Sequence, residues 1–115
     1  MNIKIVRNQI LKKELEEIAK DQFGDWVKAV VDIEKEIMAI GGDLHADEEA
    51  VLLQDGSQRK NLWGINLWLD KGINEWIEFN SMINVRPAQH NRSRGVENES
   101  LQQEIKKVVG KLVTF

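Results

Sequence analysis

The chain is organised around residues Trp76 to Arg94, which read WIEFNSMINVRPAQHNRSR. Residues 76–85 alternate between two sets of side chains, the period of a β-strand. The sets are Ile77, Phe79, Ser81, Ile83 and Val85, and on the other side Trp76, Glu78, Asn80, Met82, Asn84 and Arg86. The first set predicts a face against the core, and the second predicts a polar face. Pro87 and the polar run from Gln89 follow, so this stretch is also the first candidate for a binding site.

The remaining segments predict helices and strands around it. Helices are predicted over residues 9–22, with Asn8 as N-cap, over 43–55, and from the N-cap Asn98 to Leu112. Strands are predicted over residues 2–6, 26–36 and 62–69, and the last pairs with the strand at Trp76 as an antiparallel hairpin. Residues 37–40 either prolong the second strand or turn back on it. We therefore expect one α+β domain over residues 1–115, with a mostly antiparallel sheet of three to five strands and about three helices packed on one face.

Composition limits the classes of function. The 115 residues are 42% hydrophobic and 30% charged, as in an ordinary globular domain. The net charge of -3 argues against a general nucleic-acid binder but leaves a local basic patch open. The absence of cysteine excludes disulfides, a thiol nucleophile and thiolate zinc sites. No apolar run approaches the roughly 20 residues that cross a bilayer, and residues 1–20 lack a secretory signal pattern, so we expect a cytoplasmic protein without a membrane partner.

Two groups of polar residues are candidates for binding a ligand. On the polar sheet face, Asn66, Asn80 and Asn84 are poor strand formers, which indicates a set of donors and acceptors for a polar ligand. In the arginine loop, which we define as residues 86–95, guanidinium and imidazole groups are suited to a phosphate or carboxylate. The loop candidates are Arg86, Gln89, His90, Asn91, Arg92 and Arg94. Two alternatives stay open: the face is simply solvated, and the arginines pair internally with Asp43, Asp47, Glu48 and Glu49.

A metal site is the weaker alternative. His45 and His90, with Asp43, Asp32, Glu34 or Glu36, are competent ligands for a metal that activates water. Their spacing matches no metal motif, so we expect no cofactor.

Two tryptophans, Trp68 and Trp76, fall on the polar side of the predicted strands. Exposed aromatic residues there would suit a dimer interface or a flat ligand.

Four stretches together are similar to a known group of proteins. They are AVVDIEKEIMAIGG at 29–42, LHADEEA at 44–50, LWGIN at 62–66 and SMINVRPAQHNRSR at 81–94. Through them the chain resembles an uncharacterised family of small prokaryotic conserved-hypothetical proteins. The resemblance implies a bacterial or archaeal cytoplasmic protein, and it implies no activity, catalytic residue or cofactor.

Three functions remain as hypotheses, and whether the protein is an enzyme stays open. The first is binding of a small anionic or polar ligand through the arginine loop by a homodimer. The second is a metal-assisted hydrolase, with nucleic acid as one substrate class, built on Asp32, Glu34, His45 and His90. The third is a structural module for protein–protein interaction.

Overall fold

A computed structural model describes residues 2–115, and within them it contains three α-helices and seven β-strands. The helices are α1 (Lys12–Asp21), α2 (His45–Gln54) and α3 (Glu99–Leu112). The strands are β1 (Lys4–Val6), β2 (Ile10–Leu11), β3 (Trp26–Asp32), β4 (Ile37–Ile40), β5 (Leu62–Trp68), β6 (Ile77–Glu78) and β7 (Val113–Thr114).

Five of these strands form one antiparallel sheet in the order β1-β4-β3-β5-β6, while β2 and β7 form a small parallel pair. The predicted α+β class with a mostly antiparallel sheet is confirmed. Residues 37–40 turn back on β3, because Val31 lies opposite Met38 in the pairing. Asp32 holds the turn between them, since its Oδ1 accepts the N–H groups of Glu34 and Lys35 at 2.9 Å each. The hairpin alternative for this segment is therefore the correct one.

The helices cover both faces of the sheet, so the expectation that they share one face is wrong. α1 and α3 pack on a core that includes Ala29 and Ile65. On the opposite face α2 brings Leu52 against Val30 and Leu62. β4 is buried at every position, the pattern of a strand covered on both sides. The second face therefore has an apolar centre and is not a continuous polar surface.

The helix boundaries show where local patterns were sufficient. α3 begins as predicted, with the Asn98 Oδ1 accepting the N–H of Leu101 at 3.1 Å. α1 begins later than predicted and without Asn8 as its cap, because Ile10 and Leu11 extend to pair with β7. That pairing joins two segments at opposite ends of the chain, so a local helical pattern did not reveal it.

Residues 76–85 leave the sheet early, and the predicted strand is wrong beyond Glu78. A short 3₁₀ turn at Met82–Asn84 follows. The assignment of faces is also wrong, because Trp76 and Asn84 are buried while Val85 is exposed. The physical reason is the side chain of Asn84, which takes the place of a neighbouring strand.

Candidate functional site

The Asn84 carboxamide fastens the segment after β6 to the sheet. Asn84 is 0% exposed, and its Oδ1 accepts the N–H of Gly64 at 2.8 Å while its Nδ2 donates to the Gly64 carbonyl at 2.9 Å. A continued β6 would pair with these same two groups of β5. The Nδ2 also donates to the Arg94 carbonyl at 3.0 Å. Gly64 must stay small here, since a Cβ would lie 2.6 Å from the Cβ of Ser81.

A second buried carboxamide, that of Asn91, holds the arginine loop from within. Its Nδ2 donates to the carbonyls of Asn84 at 2.7 Å and Gly95 at 2.8 Å, and its Oδ1 accepts the N–H of Glu97 at 2.9 Å. The Glu97 carboxylate in turn accepts the backbone N–H groups of Ser93 and Arg92. Its hydrogen bonds with Ser93 and Arg92 lower the pKa of Glu97. The loop is thus ordered by hydrogen bonds that leave its outer side chains free.

Arg86 points inward and serves the same architecture. Its Nε donates to the Ile83 carbonyl at 2.8 Å, and its terminal nitrogens donate to the carbonyls of Arg59, at 2.8 Å, and Leu62. The guanidinium also stacks 4.4 Å from the centre of the Trp63 ring. Burial lowers the pKa of Arg86, although an arginine remains charged at any physiological pH. Few of its donors are left for a ligand.

The predicted polar face around Asn66 is largely paired internally, although Asn66 Oδ1 is buried without a hydrogen-bond partner among residues 2–115. The Asn66 Nδ2 donates to Glu78 Oε1 at 2.9 Å and to the Asn80 carbonyl at 3.3 Å, and Trp68 Nε1 donates to the same Glu78 oxygen at 3.1 Å. The hydrogen bond from Asn66 is the largest cause that lowers the pKa of Glu78, and burial opposes it. The side chain of Asn80 makes no hydrogen bond within residues 2–115.

Of the other loop candidates, Gln89 bonds to the backbone, and His90 and Arg92 are exposed. Gln89 donates to the Lys60 carbonyl at 3.1 Å. His90 is exposed and adopts a left-handed conformation with φ of 61° at the end of a 3₁₀ turn. Arg92 is exposed, and its side chain makes no ion pair among the described residues.

A depression of about 270 Å³ opens between the start of α2 and the arginine loop, and we call it the His45 depression. Four of the residues that line it are His45, Arg94, Lys28 and Ser81. The first two were predicted as members of two different sites, and the last two were not predicted as site residues. The exposed side chains of Leu44 and Met82 add an apolar rim. Lys28 was missed because a lysine on a strand is usually a solvated residue. Its pairing with Asn66 across β3 and β5 became visible only with the sheet register.

The depression carries positive charge without an internal counter-ion. Within residues 2–115, neither Lys28 nor Arg94 forms an ion pair. The ammonium of Lys28 lies 5.2 Å from the centre of the Trp26 ring, so an aromatic face rather than a carboxylate supports it. Of the acidic residues on α2, Glu49 pairs elsewhere, 3.7 Å from Arg59.

His45 lies in this depression as a neutral imidazole. Burial lowers the pKa of His45 to about 4, although the hydrogen bond with the Ile65 carbonyl acts in the opposite direction. That bond joins Nε2 and the carbonyl oxygen over 2.8 Å, which fixes Nε2 as the protonated nitrogen. The imidazole is therefore uncharged at neutral pH, and its Nε2–H is held by the sheet.

Glu48, one turn further along α2, does not cancel the positive charge. It is fully buried, and its Oε2 accepts the N–H of Gly42 at 3.0 Å. Burial raises the pKa of Glu48 well above its usual range and so favours the neutral acid. A Cβ on Gly42 would lie 2.7 Å from the Glu48 Cγ, which explains why the turn before α2 needs glycine at this position.

Three of the residues proposed as metal ligands, Asp32, Glu34 and His45, have other partners. Asp32 caps the β3–β4 turn and accepts the Ser57 hydroxyl at 2.6 Å, and Glu34 accepts the amide of Asn61 at 2.7 Å. His45 is bonded to the sheet, as described above. No group of three or more histidine, aspartate or glutamate side chains in residues 2–115 is arranged to hold a metal ion.

Comparison with known proteins supports the resemblance seen in the sequence. A family model described as a protein of unknown function (DUF5674) matches residues 4–112. No curated protein and no solved structure matches the chain. Among the described residues no helix has the length and apolar character to cross a membrane. Because the family model covers nearly the whole chain, this protein belongs to the DUF5674 family of proteins of unknown function.

Proposed function

We propose that this protein binds a small organic anion, a carboxylate or phosphate with a short apolar part, in the His45 depression. The observation that carries the proposal is the presence of two cations, Lys28 and Arg94, which line one depression and lack an ion-pair partner within residues 2–115. Lysine and arginine are the side chains that bind carboxylates and phosphates most strongly.

The rim of the depression favours a ligand that is not purely polar. Leu44 is 57% exposed and Met82 is 65% exposed, and both line the depression beside Ile83. Exposed apolar side chains that surround a few polar groups are typical of small-molecule sites, where the apolar surface supplies affinity and the polar groups orient the ligand. A bare inorganic anion would leave this rim in water.

The arginine loop supports the site by holding its cation in place. The Arg94 carbonyl accepts hydrogen bonds from the Ser81 N–H, at 2.9 Å, and from the Asn84 side chain. The backbone that carries the guanidinium is therefore fixed to the sheet. Such preorganisation reduces the entropy lost on binding. Of the predicted loop residues, Arg94 therefore contacts the ligand, whereas Arg86 and Asn91 support the loop.

The test is a binding assay with hexanoate and butyl phosphate as probes. Binding is measured by the shift in thermal unfolding and by calorimetry. A ligand present at 100 times its Kd should stabilise the fold by about 2.7 kcal/mol. Arg94→Gln should weaken binding by roughly ten- to 100-fold, because a hydrogen bond to a charged group contributes about 1.5 to 3 kcal/mol. Arg92→Gln is the matched control, since Arg92 belongs to the same loop and does not line the depression.

Two results would count against this function. The first is that neither probe stabilises the wild-type protein at any concentration up to the millimolar range. The second is that the Arg94 and Arg92 variants lose the same affinity, which would indicate that only the net charge of the loop matters. The expected homodimer, the cytoplasmic location and the prokaryotic origin stay predictions.

A further inference from the structure

A second depression, of about 320 Å³, lies on the opposite face of the sheet from the His45 depression. It opens between the start of α3 and the arginine loop, and we call it the Trp63 depression. Its polar lining includes Lys60, Trp63, Gln89, His90 and Asn98. The sequence marked Gln89 and His90 as ligand-binding candidates, and neither reaches the His45 depression.

The indole of Trp63 supplies a buried donor without an acceptor. Trp63 is 2% exposed, and its Nε1–H has no hydrogen-bond partner among residues 2–115. An indole nitrogen can only donate, and buried donors in folded proteins are rarely left unpaired. One face of the ring is covered by the guanidinium of Arg86 at 4.4 Å, and the ring lines the depression.

The surroundings of this donor favour negative charge. Lys60 is exposed and forms no ion pair within the described chain, and no carboxylate lines the depression. The positive end of α3, a helix of 14 residues, begins beside it at Asn98. An unpaired N–H donor, an unpaired ammonium and a helix N-terminus all favour an oxygen anion.

We propose that the Trp63 depression is a separate site for a small oxyanion, either a carboxylate or a phosphate. One oxygen of the anion accepts the Trp63 Nε1–H, and the Lys60 ammonium pairs with its charge. His90 stands at the same depression with its side chain exposed. This site does not depend on the function proposed above, because the two depressions lie on different faces of the sheet and share no lining residue.

Nitrogen-15 NMR of the full chain tests the proposal directly. The chain has four tryptophans and therefore four indole N–H signals, and the signal that disappears in the Trp63→Phe variant is that of Trp63. Inorganic phosphate and acetate are titrated separately at constant ionic strength. We expect a saturable shift of the Trp63 indole signal with at least one of them. Lys60→Gln should weaken that binding by about three- to tenfold, whereas Lys13→Gln, on the exposed side of α1, should leave it unchanged.

Each outcome decides the question. A saturable response supports the site, and the anion with the lower Kd identifies the group that it accepts. If neither anion shifts the Trp63 signal, or if the shift rises linearly without saturation, no anion binds at the indole and the proposal is wrong. An equal loss in the Lys60 and Lys13 variants would also overturn it. Arg94→Gln should not alter this titration, so failure of the organic-anion function is recognised separately.

Discussion

Removing the side chain of Asn84 is the sharpest test of how the arginine loop is held. The Asn84→Ala variant deletes the three hydrogen bonds that this carboxamide makes to the backbone, two to Gly64 and one to the Arg94 carbonyl. The Arg94 carbonyl keeps a second donor, the N–H of Ser81. The N–H and the carbonyl of Gly64 lose their partner while they remain buried beside the sheet.

The expected cost follows from those two orphaned groups. A buried donor or acceptor left without a partner costs about 1 to 3 kcal/mol, so two cost about 2 to 6 kcal/mol. We expect about 3 kcal/mol, because the cavity left by the side chain can admit some water. A domain of this size is stabilised by roughly 5 to 15 kcal/mol in total, so the loss would be a large share. With a urea slope of roughly 1.5 kcal/mol/M, the midpoint should fall by about 2 M.

Urea unfolding followed by tryptophan fluorescence measures this change. Asn80→Ala is the matched control, because the side chain of Asn80 lies on the same segment without a hydrogen bond among residues 2–115. Its midpoint should move by less than about 0.5 M. If both variants unfold at the same urea concentration, the Asn84 carboxamide is replaceable and our explanation of the shortened β6 fails.

The Asn84→Asp variant separates the lost donor from the lost volume. Aspartate can still accept the Gly64 N–H, but its second oxygen would face the carbonyls of Gly64 and Arg94. This repulsion should raise the pKa of the new carboxyl in the folded state. Its contribution to stability would then be present below the unfolded pKa of about 3.9 and lost as the pH rises. The deficit relative to wild type should therefore shrink in acid, whereas that of Asn84→Ala should not.

Three further predictions concern other buried groups. Burial raises the pKa of Glu48, so its contribution to stability is present below the unfolded pKa and is lost as the pH rises. Glu48→Gln should flatten the dependence of the melting temperature on pH above about pH 4, while Glu49→Gln should not. A Glu48→Gln curve that runs parallel to that of the wild type would refute this. Gly64→Ala should lower the free energy of unfolding by about 1 to 3 kcal/mol through steric overlap. Gly110→Ala, whose new methyl group would meet open space on α3, should leave the free energy of unfolding unchanged or raise it by up to about 1 kcal/mol. Arg86→Lys should cost about 1 to 3 kcal/mol in urea unfolding, since lysine cannot reach three carbonyls and stack on an indole at once, and a wild-type midpoint would contradict this.

The sequence predicted those elements whose structure is decided locally. α3 has an N-cap at Asn98 and a buried stripe that includes Ile105, Val109 and Leu112, all readable from a single helical period. The existence of β3 and β5 was also predicted, since both carry alternating apolar residues, but their pairing with one another was not. The placement of α2 on the second face could not, because its apolar residues fit either face until the register of the sheet is known.

The segment from Trp76 to Arg94 shows why the site was harder to predict than the fold. Its alternation was regular, yet the positions that are buried in the structure include Asn84 and Asn91. An asparagine in a strand pattern is usually exposed, and only its poor strand propensity hinted otherwise. The stronger signal lay elsewhere, in Gly64, since glycine inside a strand often marks the close approach of another backbone or side chain.

The buried carboxamides also separate the polar residues that build the loop from those that remain available. Asn84 and Asn91 direct their donors to main-chain carbonyls, and Arg86 does the same. If any of these side chains left the interior, the main-chain carbonyls that it bonds would lose a hydrogen-bond donor. Arg94 differs, because only its backbone is engaged and its guanidinium lines a depression. A rigid loop that fixes the main chain around an unpaired cation reduces the entropic cost of binding an anion there, which is why we place the ligand at Arg94 and not at the more deeply held Arg86.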